Sequence, residues 1–186
     1  MLSGVLACLL FVKYPFLTED YLGFLSFDSY EFYFFLHGSL FFSLMLICAM
    51  IDLNLMIIPD KITLPMILAT PLAVFIHPDL SWQNALLGVF AGGGVIYFIA
   101  WSYYLLRGHE GIGMGDAKLL AAIGGWLGYQ AVLPTLFLGA FSGSFLGALF
   151  LVSAKNFSLK AKVPFGPFLV LGASLYLLFP LEWLEV

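Results

Sequence analysis

The stretch Arg107-Gly-His-Glu-Gly-Ile-Gly-Met-Gly-Asp-Ala-Lys118 separates two long apolar runs of this chain. Apolar residues dominate 85–106 before it, and Leu119-Leu-Ala-Ala-Ile123 opens the next run directly behind it. About 20 apolar residues are enough to cross a bilayer as a helix. The stretch therefore predicts a polar turn between two membrane helices, with the carboxylate of Asp116 at the start of the second.

The composition of the 186-residue chain is typical of an integral membrane protein. Hydrophobic residues make up 62% and charged residues 10%, and the mean hydropathy is +1.04. A soluble domain carries roughly a quarter charged residues, so little of this chain can form one. The net charge of −4 offers no basic surface, and we expect no nucleic-acid partner. The lipid bilayer is the first partner that the sequence predicts.

Seven apolar segments have the length and composition expected of membrane spans, although the first and third are short. They cover residues 2–17, 34–51, 62–77, 85–106, 117–133, 135–153 and 163–180. A lipid-facing backbone must satisfy its own hydrogen bonds, and these runs are too long for barrel strands. We therefore expect an all-α polytopic helix bundle of about seven spans that forms a single domain over 1–186.

The basic residues fall almost entirely in alternate connections between these segments. They are Lys61, Arg107, Lys118, Lys155, Lys160 and Lys162. The positive-inside rule assigns these connections to the cytoplasm, and the N-terminus is then also cytoplasmic. Asp52, Asp60, Glu110 and Asp116 share that cytoplasmic face. Lys13 is the exception to the alternation.

No metal site is expected from the spacing of potential ligands. Cys8 and Cys48 lie in apolar runs without a CxxC pair, so neither a zinc site nor a disulfide framework is indicated. We expect both to be buried free thiols. His109 and Glu110 have no matching pair of ligands elsewhere and are interpreted as solvated groups.

Two acids at the first cytoplasmic connection each have a structural interpretation. Asp52 ends an apolar run, where its carboxylate opposes the helix dipole and is costly if it faces lipid. It is either an interfacial acid in headgroup water or a functional group. Asp60 follows Pro59 and is expected at the N-cap of the third segment, where it would accept bonds from free backbone N–H groups.

The surroundings of Asp116 favour a functional role. The helix dipole stabilises an acid in the first turn of a helix, and this effect alone would explain an aspartate at position 116. Gly111, Gly113 and Gly115 precede it, and alternating glycines leave room for a substrate strand to lie beside the acid. A loop that only links two spans uses the same residues to turn.

Three blocks of the sequence resemble the type IV prepilin peptidases, bacterial membrane aspartyl proteases of the GxGD class. Ile51-Asp-Leu-Asn-Leu-Met-Ile-Ile-Pro-Asp-Lys-Ile-Thr-Leu-Pro65 is similar to their first active-site motif. Gly111-Ile-Gly-Met-Gly-Asp-Ala-Lys-Leu-Leu-Ala-Ala-Ile-Gly-Gly-Trp-Leu-Gly128 is similar to the second, and Val163-Pro-Phe-Gly-Pro-Phe-Leu169 to the segment that opens their last span. Presenilin-like relatives carry a tyrosine at the position of Ile51, which favours the prepilin branch.

The resemblance implies a leader endopeptidase in the bacterial cytoplasmic membrane, with Asp52 and Asp116 as its catalytic pair. Its substrates would be the basic leaders of type IV prepilins and pseudopilins, which links it to pilus biogenesis and type II secretion. Two carboxylates in one site share a proton, so one activates water while its protonated partner polarises the scissile carbonyl.

Four further residues are expected to contact the substrate. Asp60 and Glu110 would attract the basic leader to the cytoplasmic face. Gly113 and Gly115 would let the peptide approach the second aspartate closely.

The resemblance implies no cofactor for cleavage. Larger family members begin with another span and a cytoplasmic insert with two CxxC pairs, associated with zinc and with N-methylation from S-adenosylmethionine. The sequence starts after that part, and Gly4 stands where the family has a glutamate. We expect peptidase activity, and S-adenosylmethionine only if methylation is retained.

Two other classes of function use similar residues. A proton- or cation-coupled transporter also has membrane aspartates and glycine-interrupted helices, but its acids would lie near the middle of the bilayer. A structural membrane subunit would tolerate the removal of both aspartates.

Overall fold

The computed structural model describes residues 2–19, 25–107, 113–153 and 164–179, and α-helices dominate these ranges. The helices are α1 (Leu2–Lys13), α2 (Ser29–Leu55), α3 (Asp60–Leu68), α4 (Thr70–Ile76), α5 (Trp82–Arg107), α6 (Met114–Leu127), α7 (Val132–Ser153) and α8 (Gly166–Leu178), with a 3-10 turn at Tyr129–Ala131. The predicted helical class is confirmed. Two three-residue strands, β1 (Leu17–Glu19) and β2 (Leu25–Phe27), add a small antiparallel hairpin that the hydropathy pattern did not predict.

Each of the seven predicted apolar segments contains helix. Two helices in the described part of the chain, Ser29–Leu55 and Trp82–Leu106, are long and apolar enough to cross a membrane by themselves. Their mean hydropathies are 2.1 and 1.7. Both are longer than their predicted segments, because polar residues at the ends continue the helix beyond the apolar run.

The third predicted segment is two short helices instead of one, and the helix breaks at Ala69. Pro71 has no N–H with which to continue the backbone ladder from α3, and it lies instead in the first turn of α4, where a missing N–H costs little. The hydroxyl of Thr70 donates to the carbonyl oxygen of Ile67 at 2.7 Å and satisfies part of the interrupted ladder.

Helix α6 forms the centre of the core, since its residues from Leu119 to Trp126 are buried. Its backbone approaches that of α5 closely where Gly88 faces Gly124, and a Cβ added to either glycine would overlap the carbonyl of the other. Gly92 faces the carbonyl of Leu120 in the same way. Small residues allow such close approach between membrane helices, and here they fix the position of α6.

Polar contacts join the helices at the end of the bundle that contains the start of α2. The ammonium group of Lys13 donates to the carbonyl oxygens of Leu177 and Leu178, each at 2.7 Å, and so caps α8. The hydroxyl of Tyr30 donates to the carboxylate of Asp79 at 2.9 Å. Lys13, the exception to the charge alternation, therefore has a structural role at a helix C-terminus.

Candidate active site

Asp52 lies in the last turn of α2 and is only 5% exposed. The helix ends one turn later at Met56, whose left-handed backbone (φ 53°) lets its N–H donate to the Asp52 carbonyl at 2.8 Å. The Asp52 side chain turns to a different helix, where its Oδ2 accepts a 2.9 Å hydrogen bond from the N–H of Gly166. The N-terminus of α8 therefore offsets the unfavourable dipole of α2.

Gly166 is the first residue of α8, and its N–H is one of the donors that a helix leaves free at its start. A Cβ at this position would lie 2.6 Å from Oδ2 of Asp52, closer than any ordinary contact. Only glycine therefore brings the backbone donor to the carboxylate. The sequence analysis did not select Gly166 as a site residue, although it lies in the third block that carries the resemblance.

Asp116 lies in the first turn of α6, ahead of the predicted span at 117–133. Its backbone N–H donates to the carbonyl of Gly113, the N-cap residue, at 3.1 Å. A Cβ at Gly113 would stand 3.4 Å from Oδ2 of Asp116, so the carboxylate folds back over the start of the helix. The positive end of the α6 dipole offsets part of the cost of burying this carboxylate.

Ile58 joins the elements that carry the two aspartates. It lies in the short connection between α2 and α3 and is 8% exposed. A Cβ at Gly115 would stand 3.0 Å from Cβ of Ile58, and one at Gly166 would stand 3.3 Å from its Cδ1. The glycines beside both acids thus leave space that Ile58 fills in this structure.

The two carboxylates are close enough to interact electrostatically. Burial raises the pKa of Asp116 from 3.8 to about 6, and the negative charge of Asp52 adds to the increase. A carboxyl group with this pKa holds a proton in mildly acidic solution. The structure thus brings together Asp52 and Asp116, the pair that the sequence predicted, at one end of the bundle.

Asp60 and Glu110 were predicted to attract the substrate. Asp60 is the first residue of α3, with Pro59 at the N-cap, so it does not occupy the predicted capping position. Its carboxylate instead accepts from the ammonium group of Lys118 on α6, with both oxygens at 2.7 Å. This geometry places Asp60 beside the start of α6. Glu110 lies outside the described residues.

Within the described ranges, no group of three His, Cys, Asp or Glu side chains is arranged to hold a metal ion. Cys48 is a buried free thiol as predicted, but the prediction for Cys8 was wrong, since Cys8 is exposed on the surface of α1. Its apolar neighbours in sequence reflect an exposed apolar helix face and not a buried one.

A sequence profile of the type IV leader peptidase family matches residues 39–152, more than half of the chain. This chain belongs to the type IV leader peptidase family. The matched range contains Asp52, Ile58, Asp60 and Asp116, the residues that meet at this end of the bundle. The family relationship inferred from the three sequence blocks is confirmed.

Similar curated proteins carry the name prepilin leader peptidase/N-methyltransferase. The family member described here is 39% identical to that of Aeromonas hydrophila over 128 residues, which are 69% of this chain and 44% of the relative. It is 37% identical to that of Burkholderia pseudomallei strain K96243 over 129 residues, 69% of this chain and 41% of the relative. The chain thus spans less than half the length of these relatives. No solved structure gives a significant match.

Proposed function

We propose that this chain is an aspartic endopeptidase that cleaves the leader peptides of type IV prepilins and pseudopilins. The observation that carries the proposal is the convergence of Asp52 and Asp116, from the end of α2 and the start of α6, around Ile58. Membership of the type IV leader peptidase family supports the same conclusion. Both acids lie in terminal turns, whereas the alternative function, ion transport, favours acids in the middle of a span.

The two carboxylates have different roles in the proposed reaction. Asp52 is the general base and takes a proton from a water molecule, whose oxygen attacks the scissile carbonyl carbon. Asp116 is protonated and donates to the carbonyl oxygen as it becomes negatively charged. Collapse of the tetrahedral intermediate breaks the C–N bond, and a carboxyl proton moves to the leaving amine. No covalent enzyme intermediate forms.

Different surroundings make this division of roles possible. Burial raises the pKa of Asp52, but the Gly166 N–H and the positive end of the α8 dipole stabilise its negative charge and limit that increase. Asp116 has a raised pKa because it is partly buried beside that charge. Cleavage by this pair needs no cofactor, and S-adenosylmethionine would be needed only if the chain also methylates its product.

The proposed setting is the bacterial cytoplasmic membrane, which the chain crosses about seven times as a single domain over 1–186. The N-terminus and the aspartate pair face the cytoplasm in this proposal. Lys61 and Lys118 lie at the same end of the bundle as the aspartates, and an excess of basic residues is typical of the cytoplasmic side.

We also propose that Asp60 and Glu110 attract the basic leader, and that Gly113 and Gly115 let it approach Asp116. The exposed carboxylate of Asp60 at the start of α3, next to α6, supports the first part. Reversing the charges of the two acids should raise the KM for prepilin more than it lowers kcat. An unchanged KM would exclude their role.

Cleavage of a purified prepilin by the detergent-solubilised chain tests the main proposal. Asp52→Asn and Asp116→Asn should each abolish the gel shift while the protein still inserts into membranes, because neither variant retains two titratable carboxyls. Asp28→Asn is the matched control, since Asp28 caps α2 at the opposite end and asparagine caps equally well. An aspartate-pair variant that cut at the wild-type rate would refute the assignment.

A further inference from the structure

An ion pair between Asp60 and Lys118 lies near the chain segments that carry the two aspartates. Lys118 Nζ is 2.7 Å from both carboxylate oxygens of Asp60. The side chain of Asp60 is 55% exposed and that of Lys118 is 37% exposed. Exposed ion pairs contribute little to stability, because water screens both charges. Another cation can therefore replace Lys118 at little cost in free energy.

The pair connects the segments that carry the site. Lys118 lies two residues beyond Asp116 on α6, and Asp60 lies two residues beyond Ile58. Ile58 in turn fills the space beside Gly115 and Gly166. The ion pair therefore joins the start of α3 to the start of α6, and Ile58 lies just before α3, against Gly115 and Gly166.

We propose that this ion pair is a latch, and that a cationic side chain of the peptide substrate opens it by replacing Lys118 on Asp60. Release of Lys118 frees the connection before α3, so that Ile58 withdraws and the scissile bond reaches the two aspartates. The proposal rests on the peptidase function proposed above. It adds a positioning role for Lys118 and a coupling between substrate charge and access to the site.

The chemistry of the pair indicates the kind of group that opens it. The Asp60 carboxylate binds a primary ammonium group with both oxygens in this structure, so a lysine of the substrate fits in the same way. An arginine guanidinium fits a carboxylate with two parallel hydrogen bonds. A neutral side chain of the substrate cannot compete for Asp60 with Lys118, because it carries no charge and Lys118 is already held close to Asp60 by α6.

The two halves of a latch should have opposite effects on substrate affinity. Lys118→Gln removes the competing cation and leaves Asp60 free, so it should lower the KM for a basic leader by up to about fivefold. Asp60→Asn removes the acceptor and should raise the KM by about two- to fivefold. An ion pair with only a structural role would change KM in the same direction in both variants.

Steady-state cleavage of two prepilins provides the test. One carries its basic leader, and the matched control carries glutamine at each basic leader position. The opposite KM changes should appear with the basic leader and disappear with the neutral one. KM changes in the same direction in the two variants would overturn the latch. Opposite KM changes that are equally large with the basic and the neutral leader would also overturn it. Asp52→Asn and Asp116→Asn in the same assay test the peptidase function separately, since these variants should be inactive whether or not a latch exists.

Thiol labelling of Ile58→Cys measures the opening directly. The background carries Cys8→Ser to remove the exposed native thiol and Asp116→Asn to prevent cleavage. Addition of the basic leader peptide, or Lys118→Gln without peptide, should increase the labelling rate by several-fold. The neutral leader should leave the rate unchanged. Equal labelling rates under all these conditions would contradict the withdrawal of Ile58.

Discussion

The N–H of Gly166 donates a 2.9 Å hydrogen bond to Oδ2 of Asp52, although 114 positions of sequence separate the two residues. The bond joins the start of α8 to the last turn of α2. A buried carboxylate needs hydrogen-bond donors to offset its loss of hydration, and the free N–H at a helix start supplies one. Helix α8 is therefore part of the proposed catalytic site as well as of the packed bundle.

Gly166→Ala should strongly reduce prepilin cleavage. Its Cβ would stand 2.6 Å from the Asp52 carboxylate, so the acid or the start of α8 must move. Displacement of a catalytic group by about 1 Å can cost about 100-fold in rate. The measurement is kcat/KM for prepilin. Gly94→Ala is the control, because a Cβ there meets nothing within 4 Å, and equal activity of both variants would contradict the prediction.

The pKa of Asp116 should fall in Asp52→Asn. Burial and the charge of Asp52 together raise it to about 6, and the variant removes the second cause only. The pKa should therefore decrease without returning to 3.8, because the burial is unchanged. Carbon NMR of labelled aspartate carboxyls in detergent micelles measures the titration. An unchanged value would mean that the two acids do not interact.

Asp116→Asn should stabilise the fold at pH 8 but not at pH 4. The folded-state pKa of Asp116 is above the unfolded value of 3.8, so the wild-type stabilisation from its bound proton is lost as pH rises through about 6. Asparagine stays neutral and avoids that loss. Allowing for solvent screening of a half-buried group, we expect a gain of about 1–2 kcal/mol at pH 8. Thermal unfolding in detergent at both pH values provides the comparison, and an equal change in Tm at each would argue against the prediction.

Lys13→Met should destabilise the bundle by about 1–2 kcal/mol, since hydrogen bonds from charged donors are stronger than neutral ones. Methionine keeps the apolar chain but cannot donate to the carbonyls of Leu177 and Leu178. Lys13→Arg is the control, because it keeps the positive charge and several donors. The Tm of each variant in detergent is the readout. Equal Tm values for the methionine and arginine variants would show that the cap contributes little.

Several features of the fold were predictable from local sequence. Apolar runs determine where helices form in this chain, and helix lies within each of the seven predicted segments. The break at Ala69 was also encoded locally, because Pro71 follows it and lacks a backbone N–H. The prediction missed the break because hydropathy depends on side chains and not on backbone donors. The hairpin at β1 and β2 lies between the apolar runs, where hydropathy carries little information.

The site was only partly predictable. Asp52 and Asp116 were candidates because charged groups at the ends of apolar helices are costly, but it was the family resemblance that assigned them as the catalytic pair. Asp60 was expected to cap its own helix, yet its carboxylate pairs with Lys118 of another helix. Gly166 and Ile58 carry no titratable group, so no chemical signal distinguished them from other apolar or small residues.

The sequence by itself determined which segments are helical, which family the chain belongs to and which two acids stand at helix ends. Tertiary structure alone decided that α8 supplies a donor to Asp52, that Ile58 packs beside Gly115 and Gly166 and that Lys118 binds Asp60. Hydropathy depends on the composition of each segment, whereas these contacts depend on how the helices are rotated and packed. That arrangement follows from close backbone contacts such as Gly88 with Gly124, which involve residues distant in the sequence.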